Sequence, residues 1–335
     1  MVDRPATPAQ VMQVAAGRFL AKPLYVAAHL GIADLLESSP LTVEELASRT
    51  ETHAPSLYRV LRCLASAGIF REVDGRAFEL TPAAQPLLRG EGSLRPMILW
   101  LGDPRVDHVW ENFLWSVQTG RPAVEKTHGR SGFEWLNHDP DLAQVFNEAM
   151  SSNASVRYAA VVDTYDFSGI RRLVDVGGGH GALMARILKA NPALSGAVCD
   201  LPSVIEGTAR RLAEWGLTDR CEAIAADMFR EVPPADAHLM SAVLHDWDDE
   251  RCGVILRNCH RAAAPEARLL IVEIVATAGN EPSFAKLLDM QMLALTGGRE
   301  RTEDEYAQLL RTAGYRLVRV LPTRGPVSVL EAIRV

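Results

Sequence analysis

Residues 173–188 read LVDVGGGHGALMARIL. Leu173, Val174 and Val176 make an apolar run of strand length, and an amphipathic pattern of helical spacing follows in ALMARIL. Between them stand Gly177, Gly178, Gly179 and Gly181. A turn so rich in glycine bends tightly and lets a ligand approach the backbone where side chains would obstruct it. A strand, a glycine turn and a helix in that order open a doubly wound α/β sheet.

The pattern continues downstream. SGAVCDLP reads as a strand and VIEGTARRLAEWG as a helix. CEAIAADMF and AHLMSAVLHDW read as strands, ERCGVILRNCHRAAA as a helix and ARLLIVEIV as a strand. After the helix DEYAQLLRTAGY, the strands YRLVRVLP and VSVLEAIRV are joined by the short loop TRGP, so one edge pair runs antiparallel. Upstream, residues 9–37 pattern as amphipathic helices broken near Pro23 and Gly31. Thr42 and Glu45 have the spacing of a capping box. A helix over APSLYRVLRCLASAG and a hairpin turning at Asp74-Gly75 complete the order of a winged helix. Residues 93–155 pattern as helices, with Trp100, Trp110, Trp115 and Trp135 among them. The expected division is a winged-helix domain over 1–92 and a second domain over 93–335. Within the second, 93–155 is a helical segment and 156–335 the sheet core.

Asp200 ends the second strand, 23 residues after Gly177. A carboxylate there accepts both hydroxyls of a ribose. The glycines at 177, 179 and 181 run G-x-G-x-G after the acidic Asp175, whereas the dinucleotide fingerprint is G-x-G-x-x-G. That spacing favours S-adenosylmethionine, which has no phosphate to seat. Asp227 follows the third strand and is placed to accept from an adenine amino group, with Met228 and Phe229 flanking the ring.

Composition sets bounds. The net charge is −7, which argues against nucleic acid or an anionic membrane as partner. Residues 41–90 carry six basic and six acidic side chains, so the winged helix lacks the basic footprint of a DNA binder. The apolar stretch AAGRFLAKPLYVAAHLGIADLL at 15–36 is interrupted by Arg18, Lys22 and His29, and reads as a dimer surface rather than a membrane span. Five scattered cysteines without CxxC spacing suit reduced thiols in a cytoplasm.

Read in order, LVDVGGGHG, CDLPSVI, AADMF, SAVLHDWDDE, LLIVEIV and TGGRERTEDEY resemble the caffeate-type plant O-methyltransferases and their bacterial natural-product relatives. FNEAM at 146–150 and the N-terminal winged helix match as well, so the likeness spans nearly the whole chain. It implies a Rossmann-like methyltransferase sheet and an N-terminal dimerisation domain. It also implies metal-independent methyl transfer from S-adenosylmethionine, leaving S-adenosylhomocysteine, to a hydroxyl of an aromatic or polyketide-like small molecule.

On matching positions the resemblance makes His245 the general base, with Glu273 and Glu300 as its carboxylate partners. It places Gly177, Gly179, Asp200, Leu201, Asp227, Met228, Phe229 and Ser241 at the cofactor. It places Asn147, Met150, Asp246 and Met292 at the acceptor. Ser241 stands where plant members often carry lysine, and Ala242 where they carry tryptophan, so a plant substrate does not transfer. A phenol with pKa near 10 needs a base at neutral pH, and an imidazole oriented by a carboxylate supplies one. Asp246, Asp248 and Asp249 are also expected to favour the start of the following helix. A methyltransferase-like hydroxylase or decarboxylase, and a winged-helix regulator, are the alternatives.

Overall fold

A computed structural model describes residues 7–90, 92–152 and 154–335, without the side chains of 154–156. It contains two compact units. One comprises Met1–His108 and Asp139–Asn153, the other Val109–His138 and Ala154–Val335.

In the first unit, helices Pro8–Ala15 and Arg18–His29 are separated at Gly17, not near Pro23 as the sequence reading has it. Pro23 lies inside the second helix and has no N–H to give to the carbonyl four residues back. That carbonyl, Phe19 O, accepts from the Cys63 thiol at 3.7 Å. Gly31 breaks the chain as expected, with φ +67°. Thr42 and Glu45 cap the helix Val43–Arg49 reciprocally. The hairpin strands Phe70–Val73 and Ala77–Leu80 pair antiparallel around Gly75, and Leu41–Thr42 adds a third strand. Leu46, Leu57, Leu61, Leu64, Phe70 and Phe78 form the buried centre of this winged helix. Helices Arg95–Gly102 and Pro140–Ser152 belong to the same unit, joined by the Trp100–Phe146 edge contact at 5.0 Å.

The second unit is built on a seven-stranded sheet. Its strands are β1 (Arg172–Val176), β2 (Ser195–Asp200), β3 (Cys221–Ala225), β4 (Ala235–Ser241), β5 (Ala263–Glu273), β6 (Tyr315–Pro322) and β7 (Ser328–Arg334). The spatial order is β3-β2-β1-β4-β5-β7-β6. The first five strands pair in parallel, and β7 runs antiparallel to both neighbours. The helices named below are α1 (Ala182–Ala190), α2 (Pro202–Glu214), α3 (Asp249–Ala262), α4 (Phe284–Leu295) and α5 (Glu303–Thr312). Alternate residues feed two cores. Val174, Met240 and Ile271 pack in one, while Leu173, Leu239 and Leu270 pack in the other. A sheet buried on both faces is what makes these strands read as continuous apolar runs.

β1 and β4 are neighbours, yet the chain leaves β1 towards β2 and β4 towards β5. A crevice opens outside the carboxyl ends of strands at such a reversal. The glycine turn follows β1 and His245 follows β4, so both lie at this crevice. The sequence reading ran β4 on to Trp247, but the strand stops at Ser241. Ala242 takes φ +54°, a left-handed conformation costly for a residue with a Cβ, and the chain then makes one 3-10 turn over Leu244–Asp246.

Candidate active site

The glycine turn lies beside two acids. Asp200 accepts from the Gly179 N–H at 2.9 Å through one oxygen and from the Leu201 N–H at 2.7 Å through the other. Each oxygen keeps a lone pair for a ligand. Leu201 is the residue just before α2 and is half exposed. Gly179 has φ +56°, and a Cβ there would meet open space. A Cβ on Gly177 would come within 2.9 Å of Val243 and 3.9 Å of the Met228 sulfur. The turn after β1 is therefore in touch with the segments after β3 and β4. Asp227 accepts from the Phe229 N–H at 2.9 Å, which shapes the turn after β3.

Among the described residues, Ser241 Oγ and Asp175 Oδ1 near this cradle are buried without a hydrogen-bond partner. Burial, reinforced by the charge of Asp200, pushes the Asp175 carboxyl up to about 8. The carboxylates of Asp200 and Asp227 give the cradle a negative character that repels a pyrophosphate. A ligand with a ribose, an adenine and positive charge fits these residues, as S-adenosylmethionine does.

His245 sits on the 3-10 turn with 16 % of its side chain exposed. Its Nδ1 lies 2.8 Å from Glu300 Oε1 and 3.8 Å from Glu273 Oε2. A carboxylate only accepts, so Nδ1 carries the proton and the neutral ring presents Nε2 as its acceptor. The two glutamates have different tasks. Glu300 bonds the ring directly. Glu273, the last residue of β5, spends Oε1 on the N–H groups of Val243 at 3.0 Å and Leu244 at 3.1 Å. It thereby fixes the turn that carries the ring.

Asp246 Oδ1 stands 3.9 Å from Nε2. Of the acids after β4, Asp248 and Asp249 do serve the helix start: Asp248 caps α3 by accepting from the Arg251 N–H. Asp246 does not. It lies on the 3-10 turn before the helix and is partly buried beside the imidazole.

His245, Glu273 and Asp246 shift one another's ionisation. Burial pulls the His245 imidazolium down, but the charges of Glu273, Asp246 and Glu300 outweigh it and raise the ring to about 10. Burial also pushes the Glu273 and Asp246 carboxyls up, against the pull of His245.

The segment between α4 and α5 closes the site from the other side. Asp289 on α4 accepts from the Glu300 N–H at 2.8 Å. Gly298 lies against the turn that carries His245, where a Cβ would stand 2.0 Å from His245 O. Arg301 is fully buried and bonds the turn's carbonyls. Trp247 meets Phe229 edge-on at 4.8 Å and stacks on Phe133 at 5.8 Å. Met292 on α4 is buried. Gly298, Arg301, Trp247 and Asp289 are absent from the sequence-derived site. Gly298, Arg301 and Trp247 do stand inside the motifs TGGRERTEDEY and SAVLHDWDDE, but the sequence reading gives them no role there. Asn147 and Met150 lie on the Pro140–Ser152 helix of the other unit, both exposed to solvent.

Comparison with known proteins gives a consistent picture. An O-methyltransferase domain model matches residues 110–316, and an O-methyltransferase dimerisation domain model matches 12–90. The chain is 44% identical to a phenazine O-methyltransferase of Lysobacter antibioticus, over 96% of this chain and 95% of that one. It superposes on a calicheamicin-biosynthesis methyltransferase, solved in an SAH-bound form, with a TM-score of 0.89 and 32% identity over the whole of both chains. It is also 36% identical to aclacinomycin 10-hydroxylase of Streptomyces purpurascens, over 88% of this chain and 80% of that one.

Proposed function

The chain belongs to the S-adenosylmethionine-dependent O-methyltransferase family, and from that premise we propose that His245 is the general base for methylation of an aromatic hydroxyl, without a metal ion. The observation that carries this reading is the His245–Glu300 hydrogen bond, which commits Nδ1 and leaves Nε2 as the basic atom. Bound S-adenosylmethionine supplies an electrophilic methyl group on sulfur. Gly177, Gly179, Asp200 and Leu201 would hold its amino-acid and ribose parts, and Asp227, Met228, Phe229 and Ser241 its base. Asp246 and Met292 would meet the acceptor. The phenazine relative supports an aromatic or polyketide-like acceptor.

The raised imidazole pKa suits this task. A phenol titrates near 10, and a ring raised to about 10 is matched to it. The proton between Nε2 and a bound phenol is then shared at little cost. The corollary is that the free ring is largely protonated at neutral pH, so kcat/KM should climb with pH through an acid limb well above 6.5. Glu273→Gln keeps a carbonyl oxygen for the Val243 and Leu244 N–H groups but removes the charge. Without it the imidazolium is less stable, the ring's pKa falls, and the limb moves to lower pH. A limb that stays in place in E273Q would detach Glu273 from the titration.

His245, Glu273 and Glu300 also offer three donor atoms within 4.8 Å of one another, a spacing that suits a metal. All three side chains are already engaged, His245 and Glu300 with each other and Glu273 with backbone. Dialysis against EDTA should therefore leave the rate unchanged, and a loss restored by magnesium would overturn the metal-free mechanism. A different reaction in the same cradle is the second reading, favoured by the hydroxylase relative. The product's mass separates methyl addition from oxygen addition.

We read residues 1–92 as a dimerisation domain and 93–335 as the methyltransferase domain. Val11, Met12, Val14 and Phe19, apolar and exposed on the first two helices, support a homodimer. Five free cysteines support a cytoplasmic location. Among the described residues no helix is long and apolar enough to cross a membrane.

A further inference from the structure

We propose that Arg301 is a positioning residue for His245, acting through the backbone of the turn that carries it; the proposal rests on His245 being the base. Arg301 has no exposed surface. A guanidinium has five N–H donors, and all five are engaged. Nε bonds Asp249 Oδ1 at 3.0 Å. One terminal nitrogen bonds Leu244 O at 3.0 Å and Arg299 O at 3.3 Å. The other bonds Trp247 O at 2.9 Å and Asp249 Oδ1 at 2.7 Å.

Leu244 and Trp247 bracket His245 and Asp246. The same short turn is held from the amide side by Glu273, through Val243 N and Leu244 N. Gly298 lies flat against His245 O. The turn thus hangs between an anion that takes its N–H groups and a cation that takes its carbonyls. Each clamp comes from a distant segment, the end of β5 on one side and the α4–α5 link on the other.

Stability alone does not explain this side chain. A buried ion pair is commonly no better than an apolar residue of the same volume. Here the single carboxylate partner, Asp249, is 58% exposed, and three of the six bonds go to backbone carbonyls and one to Cys252 Sγ at 3.5 Å. What the guanidinium provides is a planar fork that fixes two carbonyls at once. Lysine has a single ammonium and no fork, so it cannot reproduce that grip.

The test is a double-mutant cycle with Arg301→Lys and His245→Ala, reading kcat, acceptor KM, S-adenosylhomocysteine affinity by calorimetry, and Tm. R301K in the native background should lower kcat by about 10- to 100-fold, with acceptor KM and S-adenosylhomocysteine affinity within about threefold. Added to H245A, it should lower kcat no further, because the base it positions is gone. Guanidinium ion added to Arg301→Ala should restore part of the rate. A native kcat in R301K, or an equal loss in both backgrounds, overturns the positioning role while leaving His245 as base. A near-native kcat in H245A overturns the base instead. Should R301K not fold, Asp249→Asn removes the outer anchor at an exposed position. It should lower kcat severalfold at unchanged S-adenosylhomocysteine affinity, and a native kcat there would equally overturn the proposal.

Discussion

His245→Ala is expected to lower kcat by about 100- to 10,000-fold while S-adenosylhomocysteine still binds. The reasoning separates the two ends of the site. The ligand cradle is made by the turns after β1, β2 and β3, and none of its hydrogen bonds uses the imidazole. The turn that carries the ring is held by Glu273, Arg301 and Gly298, all of which act on backbone atoms and survive the substitution. The variant should therefore fold, bind and fail at proton removal. Residual turnover should rise with pH as more acceptor ionises in solution, and it should be greatest for acceptors of low pKa. Near-native turnover across phenols of different acidity would remove the general base from the mechanism.

Gly298→Ala should be nearly as damaging, although it touches no ligand. The added methyl would stand 2.0 Å from His245 O, 2.4 Å from Asp246 C and 2.6 Å from Trp247 N. These are backbone atoms, so no rotamer change relieves the clash. The turn or the α4–α5 link must retreat by roughly 1 Å, and a misplacement of that size costs on the order of 100-fold in rate. Overpacking should also cost about 1–3 kcal/mol of stability. Steady-state kinetics with a thermal melt would measure both. A G298A enzyme within threefold of native kcat would show that this close approach does not set the ring's place.

The parts of the fold that a linear reading reached are those written in local pattern. The strands from 172 to 273 announce themselves because both faces of the sheet are buried, and the capping box at Thr42 is complete within four residues. The glycine turn and Asp200 were legible for the same reason, since a strand end and the next turn lie close in sequence. Pro23 misled, because the carbonyl it orphans found a thiol 44 residues away. Asp246 was grouped with its acidic neighbours, although the boundary between a 3-10 turn and a helix cap falls between it and Asp248. The supporting residues were beyond local reach. Arg301 meets Leu244 across 57 positions, and Gly298 shows its purpose only when the backbone it abuts is in place.

The interleaving of the two units bears on synthesis. The helix Pro140–Ser152 packs on Arg95–Gly102 and completes the first unit, but Val109–His138, which lies between them in sequence, belongs to the second. On the ribosome, the winged helix emerges first and then waits with Trp100 uncovered. Its missing helix follows only after a stretch whose own partners, more than a hundred codons downstream, do not yet exist. A nascent chain stalled there displays two incomplete surfaces at once.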